Sequence, residues 1–501
     1  MSATRSSSRR AIVIVLSIVL VAAAATVAVI FWPKSAKNST ASSSVSSVVA
    51  PPTVSAVDPP VTAPAAAVKP LGIKSGKTPT AAGVAKRLAP ALAHNALANY
   101  TGEVIDAATG TVLWKKDPTT PTAPASTLKL LTGAALLTKV DPASRFTTKV
   151  VQGADPGTII LVGGGDVTLS ARAANVATVY DGAPTMGDLA SQVLASGVKV
   201  TKILLDTSYW TNENAGPSNN LAPGWDIKDI AGGAITHMVP LMVDGDRTDP
   251  SNETSARTGT PAVTAGKALA RALGNATLPV QAESSPGQTP KNAKVLGSVR
   301  SQPMSVLLAQ ALLNSDNVLA EALARQVAIS MGGAPSFAGE RDAIKIALED
   351  LGFDKTLLSK TTILDGSGLA NSTDSTSSDS VPVGLLADIM EAAVTGQVRQ
   401  ANGKVKAVPA LRGLLTGLPV AGVSGTLSKA ENRFSSAAAK PGIGWVRAKT
   451  GSVAVTYALA GYVPDVDGRI LVFALNSNGV SAPVRNAQDV FAAALRQCGC
   501  T

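Results

Sequence analysis

The chain is poor in the residue types that many enzyme chemistries rely on. Its 501 residues include two histidines, His94 and His237, and two cysteines, Cys498 and Cys500. There is no His-Glu-x-x-His pair and no paired Cys-x-x-Cys, so the common zinc signatures are absent, and no metal or other cofactor is expected. A Ser-His-Asp triad would have to use one of the two histidines, and no Gly-x-Ser-x-Gly elbow occurs. Aromatic residues make up only 3% of the chain. No basic block is interleaved with them, so nucleic acid is not an expected partner. The formal charge of +10 suits an anionic surface or a carboxylate-bearing substrate, and it equally suits plain solubility. Cys498-Gly499-Cys500 stands at the extreme tail, as a tail disulfide or two idle thiols outside the cell would.

Long apolar runs are also scarce, with one exception. Residues 1–10 are polar and carry Arg5, Arg9 and Arg10, and residues 11–32 are then apolar except for Ser17 and Thr26. About 20 such residues span a bilayer. The run is longer than the apolar part of most cleaved signals, which favours an uncleaved anchor in the cytoplasmic membrane over cleavage after the alanines at 22–25. Arginines ahead of the span keep that end cytoplasmic and put the rest of the chain outside. Residues 33–80 are rich in Ser, Ala, Val and Pro without helical or strand period, and read as a disordered tether.

Beyond the tether the pattern becomes regular. Residues 81–98 read as helix, and 100–106 and 111–116 as a hairpin turned at Gly110. The hairpin leads to Ser126-Thr127-Leu128-Lys129 and an apolar helix, in which Leu128, Leu131 and Ala135 recur at helical spacing. Residues three apart on a helix share a face, so a hydroxyl and an amine would stand side by side at a helix start. A serine hydroxyl is too weak an acid to attack a carbonyl unaided, and a neutral lysine can take its proton. Alone the signal is weak. Ser196-Gly197-Val198-Lys199 has the same spacing and looks like a turn into a strand, and the bland reading of either is a cap plus a surface lysine.

Residues 146–294 differ in character. Short strands at 148–151, 158–162 and 198–205, a helix near 186–196 and a turn-rich stretch at 214–260 suggest a domain inserted into a host fold. Gly163-Gly164-Gly165-Asp166 lacks the spacing of a phosphate loop, and Asp166 reads first as a turn residue. The regular pattern resumes with helices at 304–313 and 318–329 meeting at Ser315-Asp316-Asn317, where an N-cap is the plain reading. Helices follow at 339–351 and 383–394. A strand at 445–448 runs into Lys449-Thr450-Gly451-Ser452, strands follow at 457–463 and 470–474, and a helix at 484–495 closes the chain. The hairpin and these three strands suggest a five-stranded antiparallel sheet with helices packed on it.

Ser126-x-x-Lys129, Ser315-Asp316-Asn317 and Lys449-Thr450-Gly451 stand in the order found in penicillin-binding proteins and class A β-lactamases. Over residues 81–501 the chain resembles the class C low-molecular-mass penicillin-binding proteins, the D-alanyl-D-alanine carboxypeptidases/endopeptidases. Besides the three motifs, the large insertion, Gly165-Asp166, Ala222-Pro223-Gly224-Trp225, Asp365-Gly366-Ser367-Gly368-Leu369 and the loop at 418–427 carry the likeness. The two motif serines lie closer in sequence than the class usually has them, and a membrane anchor is not a general feature of the class.

The resemblance implies an α+β fold of the penicillin-binding-protein/serine β-lactamase type, with a peptidase domain at 81–145 and 295–501. It implies peptidoglycan stem peptides ending in D-Ala-D-Ala as substrate and β-lactams as covalent inhibitors. Ser126 would be acylated, with Lys129 as base. Ser315 would relay a proton to the leaving amine, and Asn317 would hold the substrate amide and orient Lys129. Lys449 and Thr450 would meet the terminal carboxylate. Gly451 would line the substrate strand, and the N–H groups of Ser126 and Ser452 would form the oxyanion hole. Asp166 would touch substrate or brace the cleft. Two other classes stay open at this point: a β-lactamase or serine esterase on the same fold, and an idle wall-binding or β-lactam-sensing protein.

Overall fold

The computed structural model describes residues 76–211, 220–282, 289–370, 378–480 and 483–501. The apolar run at 11–32 and nearly all of the expected tether lie outside the described residues. Among the described residues no helix is long and apolar enough to cross a membrane.

The described chain begins firmly fastened. The Thr80 hydroxyl accepts a hydrogen bond from Gly83 N–H at 3.0 Å and so caps helix α1 (Ala81–Leu92), an arrangement worth about 1 kcal/mol. Thr80 N–H also donates to the Cys500 carbonyl at 2.7 Å. Thr80, the last residue of the expected tether, is therefore joined to the C-terminal tail. Cys498 and Cys500 are joined as a disulfide, and Cys498 is buried.

Strands β1 (Asn99–Asp106) and β2 (Thr111–Lys116) form the expected hairpin, and Gly110 takes the left-handed φ of +73° that its turn requires. A single 3₁₀ turn, Ala125–Leu128, then runs into helix α2 (Lys129–Lys139). Ser126 thus sits in a tight turn before the α-helix and not in its first α-helical turn. The residues from Lys129 to Leu137 are all buried. A helix apolar on every side belongs in a core, and Gly133 lets neighbours close on it: a Cβ there would lie 2.6 Å from Leu414 Cδ2.

The inserted segment builds its own five-stranded sheet from β3 (Thr147–Gln152), β4 (Thr158–Val162), β5 (Lys202–Asp206), β6 (Val280–Ala282) and β7 (Val295–Arg300). The spatial order is β6-β5-β4-β3-β7, with parallel pairing from β4 through β6 and antiparallel pairing around β3. Helices α3 (Met186–Ala195) and α4 (Pro261–Ala272) bury Leu189, Val193, Ala265 and Leu269 against it. Two boundaries differ from expectation. β5 starts at Lys202, because Gly197 at φ +78° ends the preceding helix in a turn. Residues 295–300 belong to the insert's sheet and not to the peptidase domain, because their backbone pairs with β3.

Helices α5 (Met304–Leu313), α6 (Asn317–Ser330), α7 (Phe337–Leu351) and α8 (Val383–Thr395) follow. Strands β8 (Arg447–Val453), β9 (Thr456–Pro464) and β10 (Ile470–Asn478) complete the first sheet, and helix α9 (Val484–Arg496) packs on it through Ala487, Phe491 and Leu495. The sheet order is β8-β9-β10-β1-β2, antiparallel throughout. Lys449 to Ser452 therefore lie inside β8, not beyond its end: they pair with Ala460 to Tyr457 of β9. β8 is an edge strand, so one side of its backbone has no strand partner in that sheet.

Candidate active site

Three local structures present the three motifs. Ser126 follows Ala125, which is held at φ +47°, a conformation that costs a non-glycine residue on the order of 1 kcal/mol. The surroundings enforce it. Gly368 passes so close that a Cβ there would lie 2.0 Å from the Ala125 carbonyl oxygen, and a Cβ on Gly451 would lie 2.8 Å from the Pro124 oxygen. The Ser126 turn is thus packed between edge strand β8 and the loop of Asp365 to Leu369. Ser315 is the second strained residue, at φ +58°. It lies at the junction of α5 and α6, where the Asp316 carboxylate caps α6 by accepting from Leu319 N–H at 2.9 Å.

Lys129 is the centre of the site and only 1% exposed. Its Nζ lies 2.9 Å from Ser126 Oγ, 2.7 Å from Asn317 Oδ1 and 2.8 Å from the Ser367 carbonyl oxygen. Burial pulls its pKa down from the usual lysine range to about 8, against the opposing pull of Asp365, Glu321, Asp316 and Asp379. Lys449 is fully buried as well, with Nζ 2.8 Å from Ser315 Oγ and 2.8 Å from the Thr450 carbonyl oxygen. Burial, and next the positive charge of Lys129, hold its amine well below the ordinary lysine range. The Thr450 and Thr426 hydroxyls are 2.7 Å apart. Ser126, Lys129, Ser315, Asn317, Lys449 and Thr450 are therefore linked in one neighbourhood, with Gly451 packed against the Ser126 turn and Ser452 next along the same strand.

Asp166 is not brought to this cluster. It is buried, and its Oδ1 accepts from Thr168 N–H at 2.8 Å and Thr168 Oγ–H at 2.6 Å. Burial raises its pKa to about 6. These hydrogen bonds close its own turn and do not run to the motif residues.

Several contributors have no role that motif reading assigns. Asp365 accepts from the N–H groups of Ser367 at 2.8 Å, Gly368 at 2.5 Å and Ala370 at 2.8 Å, and from Trp225 Nε1 at 2.7 Å. This fixes the loop whose Ser367 carbonyl faces Lys129. Glu321 accepts from Gly366 N–H at 2.9 Å, and burial and then Asp365 push its carboxyl up to about 7. From the insert, Arg247 Nη2 donates to Asp316 Oδ2 at 2.7 Å, Tyr180 Oη–H donates to the same oxygen at 2.9 Å, and Asn317 Nδ2 donates to the Ala234 carbonyl at 3.1 Å. Next to Ser315 and Asn317, the insert and α6 enclose a pocket of about 220 Å³ lined also by Tyr180, Arg247, Arg257 and Asn314. Among the described residues no group of histidine, cysteine and acidic side chains is placed to hold a metal.

The sequence matches the D-Ala-D-Ala carboxypeptidase 3 (S13) family over residues 84–263 and 249–497. The chain belongs to this family. It is 42% identical over 447 residues to the carboxypeptidase DacB of Mycolicibacterium smegmatis, covering 88% of this chain and 90% of that protein. It is 39% identical over 452 residues to a carboxypeptidase of Mycobacterium tuberculosis, covering 88% of this chain and 91% of that one. Penicillin-binding protein 4 of Haemophilus influenzae shares the fold, with a TM-score of 0.60 at 19% identity over 83% of this chain and 98% of the other. The α+β architecture expected from the motifs is thus that of the S13 peptidases.

Proposed function

We propose that this S13 family member is a serine-type D-alanyl-D-alanine carboxypeptidase of peptidoglycan metabolism, working through an acyl-enzyme on Ser126. The observation that carries the residue roles is the set of partners around Lys129 Nζ. A neutral amine has two N–H bonds and one lone pair. Asn317 Oδ1 and the Ser367 carbonyl can only accept, so they take the two N–H bonds. The lone pair is left for the Ser126 O–H, 2.9 Å away. That is the geometry of a general base waiting on its nucleophile.

Ser126 Oγ attacks the carbonyl of the penultimate D-Ala as its proton passes to Lys129. The oxyanion forms against the N–H groups of Ser126 and Ser452, each such donor being worth about 3 kcal/mol. As the C–N bond breaks, the proton taken up by Lys129 passes on to the departing D-Ala amine through the Ser315 hydroxyl, held by Lys449, so that Ser315 keeps a proton and Lys129 is neutral again. Lys449 and Thr450 receive the terminal carboxylate. That anion favours the charged form of a lysine that burial disfavours. The substrate backbone lies along the open edge of β8, as peptides add to exposed sheet edges. Water then releases the shortened peptide.

β-Lactams would acylate Ser126 by the same attack, and the Haemophilus protein of this fold has been crystallised with one. The arginines ahead of residues 11–32 support a membrane-anchored protein with its catalytic part outside the cytoplasm. Intact-mass spectrometry after penicillin treatment tests the chemistry. The expected result is one adduct, mapped to Ser126 and absent from Ser126→Ala; an unmodified wild-type chain would overturn the reading.

A further inference from the structure

The insert reaches the catalytic cluster through hydrogen bonds to Asp316 and Asn317. Asp316 stands between the two motif residues Ser315 and Asn317. Its Oδ2 is taken by Arg247 and Tyr180, both from the insert, while its Oδ1 caps α6. Arg247 is itself held by the Asp244 carbonyl and by Tyr180 Oη at 3.0 Å. Arg247 and Asp316 are 3% and 5% exposed at their side chains. A buried ion pair is weak evidence for stability, because desolvation offsets its attraction, but it does define register between the elements it joins.

The second contact concerns the Asn317 amide. Its two ends are nearly the same shape, and either could point at Lys129. The Ala234 carbonyl can only accept, so it selects Nδ2 and leaves Oδ1 towards Lys129. An inverted amide would place N–H groups against the amine and remove one of the acceptors that orient its lone pair.

We infer that the inserted domain sets the catalytic geometry of the peptidase domain, with Arg247, Tyr180 and the Ala234 carbonyl as positioning groups that hold Ser315, Asp316 and Asn317 in register with Lys129 and Lys449. This rests on the proposed roles of Ser126 and Lys129. The charge of Arg247 has a further consequence. The groups facing Lys129 are Asp316 at the N-cap of α6, Glu321 within α6, Asp365 and Asp379 from loops, and Lys449 from β8. Arg247 pairs directly with Asp316, the carboxylate among these that forms an arginine ion pair, and Arg257 adds positive field at the same carboxylate. Without Arg247, Asp316 loses the larger of these compensating charges and draws more strongly on the proton of Lys129.

The experiment measures the acylation rate with a fluorescent penicillin across pH in the full chain. Arg247→Met should be about tenfold slower at pH 7, and its inflection should move upward by about one pH unit. Arg247→Lys keeps the charge, so its inflection should stay at the wild-type position with a smaller loss of rate. Arg247→Met combined with Asp316→Asn removes both charges and keeps an N-cap. Its inflection should return to the wild-type position or below while acylation stays several-fold slow. A wild-type rate or a wild-type inflection in Arg247→Met overturns the inference. If that variant does not fold, a wild-type rate in the doubly substituted chain does so. A wild-type chain that never acquires an adduct on Ser126 would instead defeat the proposed function, so the two failures are distinguishable.

Discussion

Lys129 and Lys449 are the same residue type buried to the same degree in one cleft, and they are held in different ways. Lys129 faces two carbonyl oxygens, one hydroxyl and a surround of four carboxylates. Lys449 faces one hydroxyl and one carbonyl, with Lys129 as its charged neighbour. Burial lowers both, but carboxylates oppose that pull at Lys129, whereas the charge of Lys129 adds to it at Lys449. The difference matches their tasks. A base has to shed and regain a proton near the working pH, which a balance of burial against carboxylates allows. A lysine that meets an anionic substrate is best left short of a counterion, so that the substrate supplies it.

The largest way to break this comparison is to remove the base. Lys129→Met should lower acylation of Ser126 by about 10³-fold or more, measured by single-turnover kinetics with a chromogenic β-lactam. In the wild type the acylation rate should rise with pH through an inflection at about 8, because the working form of Lys129 is the neutral one above its pKa. The same lysine links pH to stability. Between about pH 8 and the ordinary lysine value of 10.5, the unfolded chain binds a proton at this position that the folded chain does not. Stability from this group should therefore rise with pH across that window and be lowest below it. Thermal melts should show that slope in the wild type, and Lys129→Met should flatten it. An unchanged slope would mean that the folded chain keeps this amine charged.

A smaller effect should follow from Lys449→Met. Peptides with a free terminal carboxylate should lose about 10²-fold in kcat/KM, by loss of the charge-assisted contact. Peptides amidated at that end should lose much less. Equal losses on both substrates would assign Lys449 to the chemistry through Ser315 and not to carboxylate recognition.

How much of this was legible beforehand follows from range along the chain. Ser126 and Lys129 share one helical turn, and Ser315 to Asn317 form one junction, so local pattern exposed them. The five-stranded sheet was legible because each strand carries its own apolar run between turn residues. The partners that tune these residues were not. Arg247 meets Asp316 across 69 positions and Trp225 meets Asp365 across 140, and no periodicity links residues that far apart. Trp225 and Asp365 had each stood out in short stretches typical of the class, but their hydrogen bond belongs to the tertiary fold. Lys449 to Ser452 had been placed after a strand because lysine, threonine and glycine interrupt the apolar pattern. They lie within it because an edge strand facing a cleft needs no apolar side chains there. Residues 295–300 read as part of the peptidase domain because strand pattern alone does not say which sheet a strand joins.

The finest test of the two lysine environments lies one residue beyond Lys449. The Thr450 and Thr426 hydroxyls are 2.7 Å apart and either can donate, so each orients the other beside the site proposed for the carboxylate. Thr426→Val keeps the shape and deletes one hydroxyl, leaving Thr450 free to rotate. A neutral hydrogen bond of this kind is worth about 1 kcal/mol, so kcat/KM for carboxylate-bearing peptides should fall several-fold, through KM more than kcat. The inflection near pH 8 should not move, because Lys129 has no contact with this pair. A shift of that inflection would show that the two lysines respond to one shared network and not to two separate ones.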